Sequence, residues 1–69
     1  MALSARNQLK GTIKSIATDK IMAEVVVTLG DGQELVSVIT SSVQRLNLQV
    51  GQAILVVIKS TEVMLATDS

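Results

Sequence analysis

The strongest constraint on the fold of this chain is a two-residue alternation of apolar side chains over residues 21–29. Successive side chains of a β-strand point to opposite faces, so this alternation predicts a strand with one buried face. The residues on that face would be Ile21, Ala23, Val25, Val27 and Leu29. Gly30-Asp31-Gly32 follows directly and predicts a tight hairpin, because glycine accepts the positive φ angles that such turns require.

Alternation also predicts four further strands. They cover residues 8–16, 33–40, 54–58 and 63–66. In the first of them the alternation slips after Ile13 and places Ile16 on the opposite face, which predicts a β-bulge or a strong bend. The strand over residues 33–40 should run antiparallel to the strand over residues 21–29, since a hairpin joins them.

A short helix is predicted between the third and fourth strands. Ser41 and Gln44 are three residues apart and match a capping box, which predicts a helix over residues 41–46. Five strands with one short helix in this position predict an all-β fold, an OB-like Greek-key barrel. No linker, repeat or low-complexity segment divides the chain, so we expect one domain over residues 1–69.

The residue types that are missing exclude several classes of function. The chain contains no His, Cys, Trp, Tyr, Phe or Pro. Without His and Cys it cannot build a zinc finger, an iron–sulfur cluster or a Ser-His triad. A formal net charge of zero and the lack of aromatic side chains argue against a nucleic-acid-binding module. Phosphate-binding glycine loops and a Ser-x-x-Lys motif are also missing, so an enzyme is not expected.

The short length and high apolar content predict an oligomer. A domain of this size buries only about 60% of its unfolded surface, and this chain of 69 residues has no disulfide to compensate. Residues 54–58 are apolar on both faces, which favours burial against another subunit. The longest apolar run, residues 53–58, is too short for the roughly 20 residues of a membrane span. With no signal-peptide core and no Cys, we expect a cytoplasmic location and no membrane partner.

Two of the six basic residues lie where an anion could bind. Arg6 and Lys59 are each next to hydroxyl-bearing residues at the end of a predicted strand. Lys10 and Lys14 instead share the outer face of the first strand and are expected to be solvated. From spacing alone, Arg6 and Lys59 fit either an anion site or ordinary surface charge.

Three segments in the same order resemble the molbindin family, the small molybdenum-pterin-binding (Mop) proteins. They are Ser-Ala-Arg-Asn-Gln-Leu-Lys-Gly at residues 4–11, Val-Ile-Thr at 38–40 with Leu-x-Val-Gly at 48–51, and Val-Ile-Lys-Ser-Thr at 57–61. Met-Ala-Glu-Val at residues 22–25 is a further similar stretch. The resemblance covers nearly the whole chain and implies an OB-like domain that binds molybdate or tungstate, for intracellular molybdenum storage or homeostasis.

The resemblance also implies an assembly and a set of site residues. Family members form hexamers, arranged as a trimer of dimers, and bind the oxyanion between subunits. One class of oxyanion site would use Ser4, Ala5, Arg6, Thr40, Lys59 and Ser60. A second class, near the three-fold axis, would use Lys20, Ile21 and Met22. No cofactor is implied, and no protein atom would bind the metal directly.

The chemistry of the first set suits a tetrahedral oxyanion. Molybdate accepts hydrogen bonds through four oxygens and donates none, so a good site consists of donors. Arg6 and Lys59 would balance its two negative charges, and hydroxyl groups would orient it. One alternative stays open at this point, namely a structural or assembly OB module whose anion pocket is incidental.

Overall fold

The computed structural model describes residues 6–40 and 46–67. These residues form four strands, β1 (Asn7–Thr18), β2 (Ala23–Leu29), β3 (Glu34–Ile39) and β4 (Ala53–Ile58), and one 3₁₀ turn (Ser60–Glu62). All neighbouring strands are antiparallel, and the sheet order is β3-β2-β1-β4. In the described part of the chain, no helix has the length and hydropathy that a membrane crossing requires.

The sheet curls into a half-barrel whose concave face forms the core. Ile13, Val25 and Val27 are buried at its centre. The partly buried side chains around them are Ile16, Leu29, Ile39, Leu48, Ile54 and Val56. Residues of the two edge strands, β3 and β4, line one groove of about 300 Å³, although β1 and β2 separate these strands within the sheet. The sheet must therefore bend strongly to bring its edges to the same groove.

The bulge predicted after Ile13 is confirmed. Ile13 lies opposite Val27, and Ser15 lies opposite Val26, the adjacent residue of β2. Two steps along β1 thus match one step along β2, so Lys14 is the extra residue. This shift returns Ile16 to the concave face, where it packs against the core. The slip in the alternation of β1 is therefore what lets one long strand keep its apolar side chains inward on both sides of the bulge.

The hairpin predicted at Gly30-Asp31-Gly32 is also confirmed. Gly32 has a φ of 89°, its N–H donates to the carbonyl of Leu29 at 3.0 Å, and the Leu29 N–H donates to the carbonyl of Gln33 at 2.7 Å. The Asp31 carboxylate accepts from the Gln33 N–H at 3.1 Å. The turn therefore closes through its own backbone and leads directly from β2 into β3.

The C-terminal part of the prediction needs a correction. The described residues hold four strands rather than five, because residues 63–66 form no strand. The side chains there are exposed, with Met64 at 92% and Leu65 at 93%. Extended backbone becomes a strand only when a neighbour accepts its hydrogen bonds, and no segment within residues 6–40 and 46–67 pairs with this one. The described residues thus form an all-β half-barrel of four strands. The predicted helix falls largely on residues 41–45, outside the described residues.

Candidate functional site

Arg6 and Lys59 lie side by side at one end of the sheet. Arg6 immediately precedes β1, and Lys59 immediately follows β4. Asn7 and Ile58, the residues next to them, form the last pair of the β1–β4 ladder, so Arg6 and Lys59 are neighbours just beyond it. Both cations are exposed. Ser60 follows Lys59 and begins the 3₁₀ turn. The structure therefore brings together three of the predicted oxyanion-binding residues, and this region is called the Arg6 end below.

The pairing of β1 with β4 sets this arrangement. It runs without a register shift from Asn7 opposite Ile58 to Thr12 opposite Ala53. Beyond it, the Ile13 N–H donates to the Gln52 carbonyl at 3.0 Å, and the Ile13 carbonyl accepts from the Gly51 N–H at 2.8 Å. This continuous ladder holds the two strand ends in register, so the spacing between Arg6 and Lys59 depends on the whole strand pair.

The 3₁₀ turn holds the hydroxyl residues after Lys59 close to the end of β4. The Glu62 N–H donates to the Lys59 carbonyl at 2.9 Å, and the Val63 N–H donates to the Ser60 carbonyl at 3.4 Å. These two hydrogen bonds end the extended backbone of β4 at Ile58. Ser60 consequently stays near Lys59, as a shared anion site requires.

Thr40 lies at the opposite end of the sheet. It follows Ile39, which pairs with Ala23, and Ala23 in turn pairs with Thr18 at the far end of β1. β1 is 12 residues long, which corresponds to about 40 Å of strand at roughly 3.3 Å per residue. One chain therefore does not bring Thr40 to Arg6. The region around Thr40 is called the Thr40 end below.

The second predicted site lies at this same Thr40 end. Residues 20–22 form the turn between β1 and β2. The Asp19 N–H donates to the Met22 carbonyl at 2.7 Å, and the Asp19 carboxylate accepts from the Lys20 N–H at 2.8 Å. Because Ile21 and Met22 belong to this turn, β2 begins at Ala23 and not at Ile21 as predicted. Ile21 is 76% exposed and does not lie on the buried face of β2. Lys20 is exposed as well, so the turn presents one cation and its backbone to the surroundings.

The Arg6 end has the chemistry of an anion site. Within residues 6–40 and 46–67 there is one ion pair, Lys14 with Glu34, so neither Arg6 nor Lys59 is neutralised by a described carboxylate. The same residues contain no cluster of three or more Asp, Glu, His or Cys that could hold a metal ion. The groups present are hydrogen-bond donors, which suit an oxyanion. Ser4 and Ala5, also predicted for this site, lie outside the described residues.

One carboxylate near the Thr40 end is not among the predicted site residues. Glu24 of β2 is exposed and lies opposite Val38 of β3. Thr40 directly follows the end of β3 and is exposed, two residues after Val38, so it lies near Glu24 along the chain direction of β3. The alternation within β2 already indicates the face of Glu24, but only the register with β3 places it beside Thr40.

Comparisons with known proteins show the family to which the chain belongs. The TOBE domain family matches residues 3–65. The chain is 41% identical to a probable molybdenum-pterin-binding protein of Haemophilus influenzae over 69 residues, which is 99% of this chain and 100% of that protein. It is also 41% identical to the molybdenum transport protein ModE of Herbaspirillum seropedicae, but there it spans only 26% of the relative's length.

Two solved structures share the fold. A molybdate-binding protein from Sporomusa ovata superposes with a TM-score of 0.91 and 37% identity, covering 97% of this chain and 100% of that one. The cytoplasmic molybdate-binding protein ModG, solved with molybdate bound, superposes with a TM-score of 0.82 and 43% identity, covering 87% of this chain and 43% of that one. The chain thus belongs to the TOBE domain family and, within it, to the molybdenum-pterin-binding (Mop, molbindin) proteins, which are binding proteins and not enzymes.

Proposed function

We propose that this protein binds molybdate or tungstate in the cytoplasm, for molybdenum storage or homeostasis, at sites between the subunits of a hexamer. The observation that carries the proposal is the separation of the predicted site residues along β1. Arg6, Lys59 and Ser60 lie at one end of the sheet and Thr40 at the other. A site that uses all of them needs the Arg6 end of one subunit and the Thr40 end of another.

The nature of the ligand is supported by chemistry and by relatives. A tetrahedral dianion needs two positive charges and several donors, and the Arg6 end offers a guanidinium, an ammonium and a hydroxyl group. ModG, a cytoplasmic molybdate-binding protein that shares the fold, has been solved with molybdate bound. Lys20, Ile21 and Met22 are proposed as a second oxyanion site, since their turn presents a cation and backbone groups at the Thr40 end.

The proposed assembly is supported by the apolar surface of the single chain. Val36 and Val38 on the outer face of β3 are 57% and 59% exposed, and Met64 and Leu65 are exposed almost completely. Leaving such side chains in water costs about 25 cal/mol per Å² of apolar surface. Two separate apolar regions, one on the sheet and one in the C-terminal segment, suit an arrangement in which each subunit contacts more than one neighbour.

A complementation experiment tests whether the site is shared. Arg6→Ala and Thr40→Ala should each weaken molybdate binding when expressed alone. If the two variants are unfolded together and refolded as a mixture, some interfaces will combine an intact Arg6 end with an intact Thr40 end. We expect those sites to bind molybdate like the parent in isothermal titration, and the other sites to bind weakly.

The controls of this experiment separate the alternatives. Lys10→Ala, on the outer face of β1, should bind like the parent throughout. Mixtures that form oligomers but recover no parent-like sites would contradict a shared site. If the parent itself takes up no molybdate in equilibrium dialysis, the protein would instead be a structural or assembly module with an incidental anion pocket.

A further inference from the structure

We infer that Glu24 is the counter-ion of the Arg6 end of a neighbouring subunit while the site is empty, so that the oxyanion binds by displacing a carboxylate. The inference rests on the proposed function, because it requires the Arg6 end of one subunit to meet the Thr40 end of another. It adds a residue that regulates the affinity of that site without donating to the ligand.

The position of Glu24 carries the first step. On the outer face of the sheet, Glu24 pairs with Val38 of β3 and with Ala17 of β1. Thr40 follows the last residue of β3, two residues beyond Val38, so its separation from Glu24 is on the order of the 7–8 Å between diagonal neighbours on adjacent strands. An Arg6 end that approaches the Thr40 hydroxyl of its neighbour therefore also approaches the Glu24 carboxylate of that neighbour.

The surroundings of Glu24 leave room for a cationic side chain. A depression of about 240 Å³ lies beside it, and Met22 and Val38 also line this depression. Asp19 lines it as well, so a guanidinium that entered it would lose part of its hydration and meet the negative charge of Glu24 and Asp19.

The other described carboxylates differ from Glu24 in place or in partner, and Glu62 lies in the 3₁₀ turn at the Arg6 end itself. Asp19 accepts from the Lys20 N–H, Asp31 accepts from Gln33, and Glu34 pairs with Lys14. Glu24 has no such partner among the described residues. Asp19 lines the same depression, but its carboxylate is held by the turn between β1 and β2. Glu24 is therefore the carboxylate of this depression that has no hydrogen-bond or ion-pair partner among residues 6–40 and 46–67.

The physical reason for such a counter-ion is the charge of the Arg6 end. Two adjacent cations at a subunit interface repel each other and lose hydration, so an assembly without ligand requires a compensating charge. When a dianion arrives, it supplies that charge itself, and the nearby carboxylate then opposes it. Glu24 thus stabilises the empty assembly and lowers the affinity for the oxyanion.

The test compares Glu24→Gln with the parent by two measurements. In isothermal titration at low salt, Glu24→Gln should bind molybdate about fivefold more tightly, from Coulomb repulsion over roughly 8 Å in water. The gain should disappear at high salt, because salt screens exposed charges. In native mass spectrometry on dilution, the ligand-free Glu24→Gln assembly should dissociate more readily than the parent, and molybdate should restore it.

Two controls make the result specific. Asp31→Asn removes the same charge from the β2–β3 hairpin and should change neither measurement. In a double-mutant cycle on ligand-free assemblies, Glu24→Gln should destabilise the parent but have little further effect in the Arg6→Ala background. Coupling to Lys20 instead of Arg6 would overturn the inference, because Glu24 would then be the counter-ion of the lysine in the preceding β1–β2 turn of its own subunit.

The remaining outcomes are equally decisive. Unchanged affinity of Glu24→Gln, or tighter binding with a ligand-free assembly as stable as that of the parent, would overturn the counter-ion role. Either result leaves the proposed function intact as long as the parent binds molybdate. A parent that binds no molybdate is the separate failure of the proposed function.

Discussion

Gly11 of β1 lies directly against the buried side chain of Val27 in β2. A Cβ atom on Gly11 would stand 2.5 Å from the Cγ1 of Val27 and 2.8 Å from the carbonyl oxygen of Thr28. Val27 is 3% exposed and belongs to the core, and the Thr28 carbonyl oxygen is backbone that cannot give way without moving β2. The close approach of β1 to β2 therefore requires the residue without a side chain at this position.

The first prediction follows from this contact. Gly11→Ala should lower the free energy of unfolding by about 1–3 kcal/mol, the usual cost of overpacking a core. Gly30→Ala is the matched control, because Gly30 has no positive φ and nothing lies within 4 Å of its Cβ position. Urea unfolding of both variants checks the difference. Equal stability of the two variants would mean that β1 and β2 can separate at Gly11 without cost.

A second prediction concerns backbone strain rather than crowding. Gly51 has a φ of 89° and open space at its Cβ position. Gly51→Ala should therefore destabilise the fold by about 1–2 kcal/mol through strain alone, since L-residues disfavour this conformation. Because the Gly51 N–H donates to the Ile13 carbonyl at 2.8 Å, amide hydrogen exchange at Gly51 should speed up as well. An unchanged unfolding midpoint would contradict the expected backbone strain at residue 51.

The third prediction concerns the cations of the Arg6 end. Arg6→Ala or Lys59→Ala should weaken molybdate binding by about tenfold or more, because a charge-assisted hydrogen bond contributes about 1.5–3 kcal/mol. Lys10→Ala is the control and should bind like the parent. Isothermal titration measures all three variants, and equal affinities across the set would remove Arg6 and Lys59 from the site.

The fourth prediction concerns pH. Histidine and cysteine are the side chains that titrate near neutral pH, and the chain contains neither. A site built from Arg6, Lys59 and hydroxyl donors should therefore bind molybdate almost independently of pH between about 6 and 9. Titrations at three pH values, in buffers with different ionisation heats, check this. Uptake of a whole proton on binding would show that another ionising group, such as the terminal amine, takes part.

Much of the local structure could be predicted from the residues themselves. The slip in alternation after Ile13 predicts the bulge, and Gly30-Asp31-Gly32 predicts the hairpin, because both depend on residues close together in the chain. The missing His, Cys and aromatic residues similarly limit the chemistry to charged and hydroxyl donors before any fold is known. The sequence also predicts that Arg6 and Lys59 lie at strand ends. That the two ends are adjacent depends on the pairing of β1 with β4, which the structure shows.

Only the tertiary structure decided the relationships between distant segments. Residues 63–66 alternate like a strand but find no partner within the chain, and Thr40 lies at the opposite end of the sheet from Arg6. The nearness of Glu24 to Thr40 likewise depends on the register between β2 and β3. Alternation is a local property with a period of two residues, so the sequence determines which face a side chain occupies. Which strand end lies beside which is settled by hydrogen bonding and packing between segments far apart in the chain.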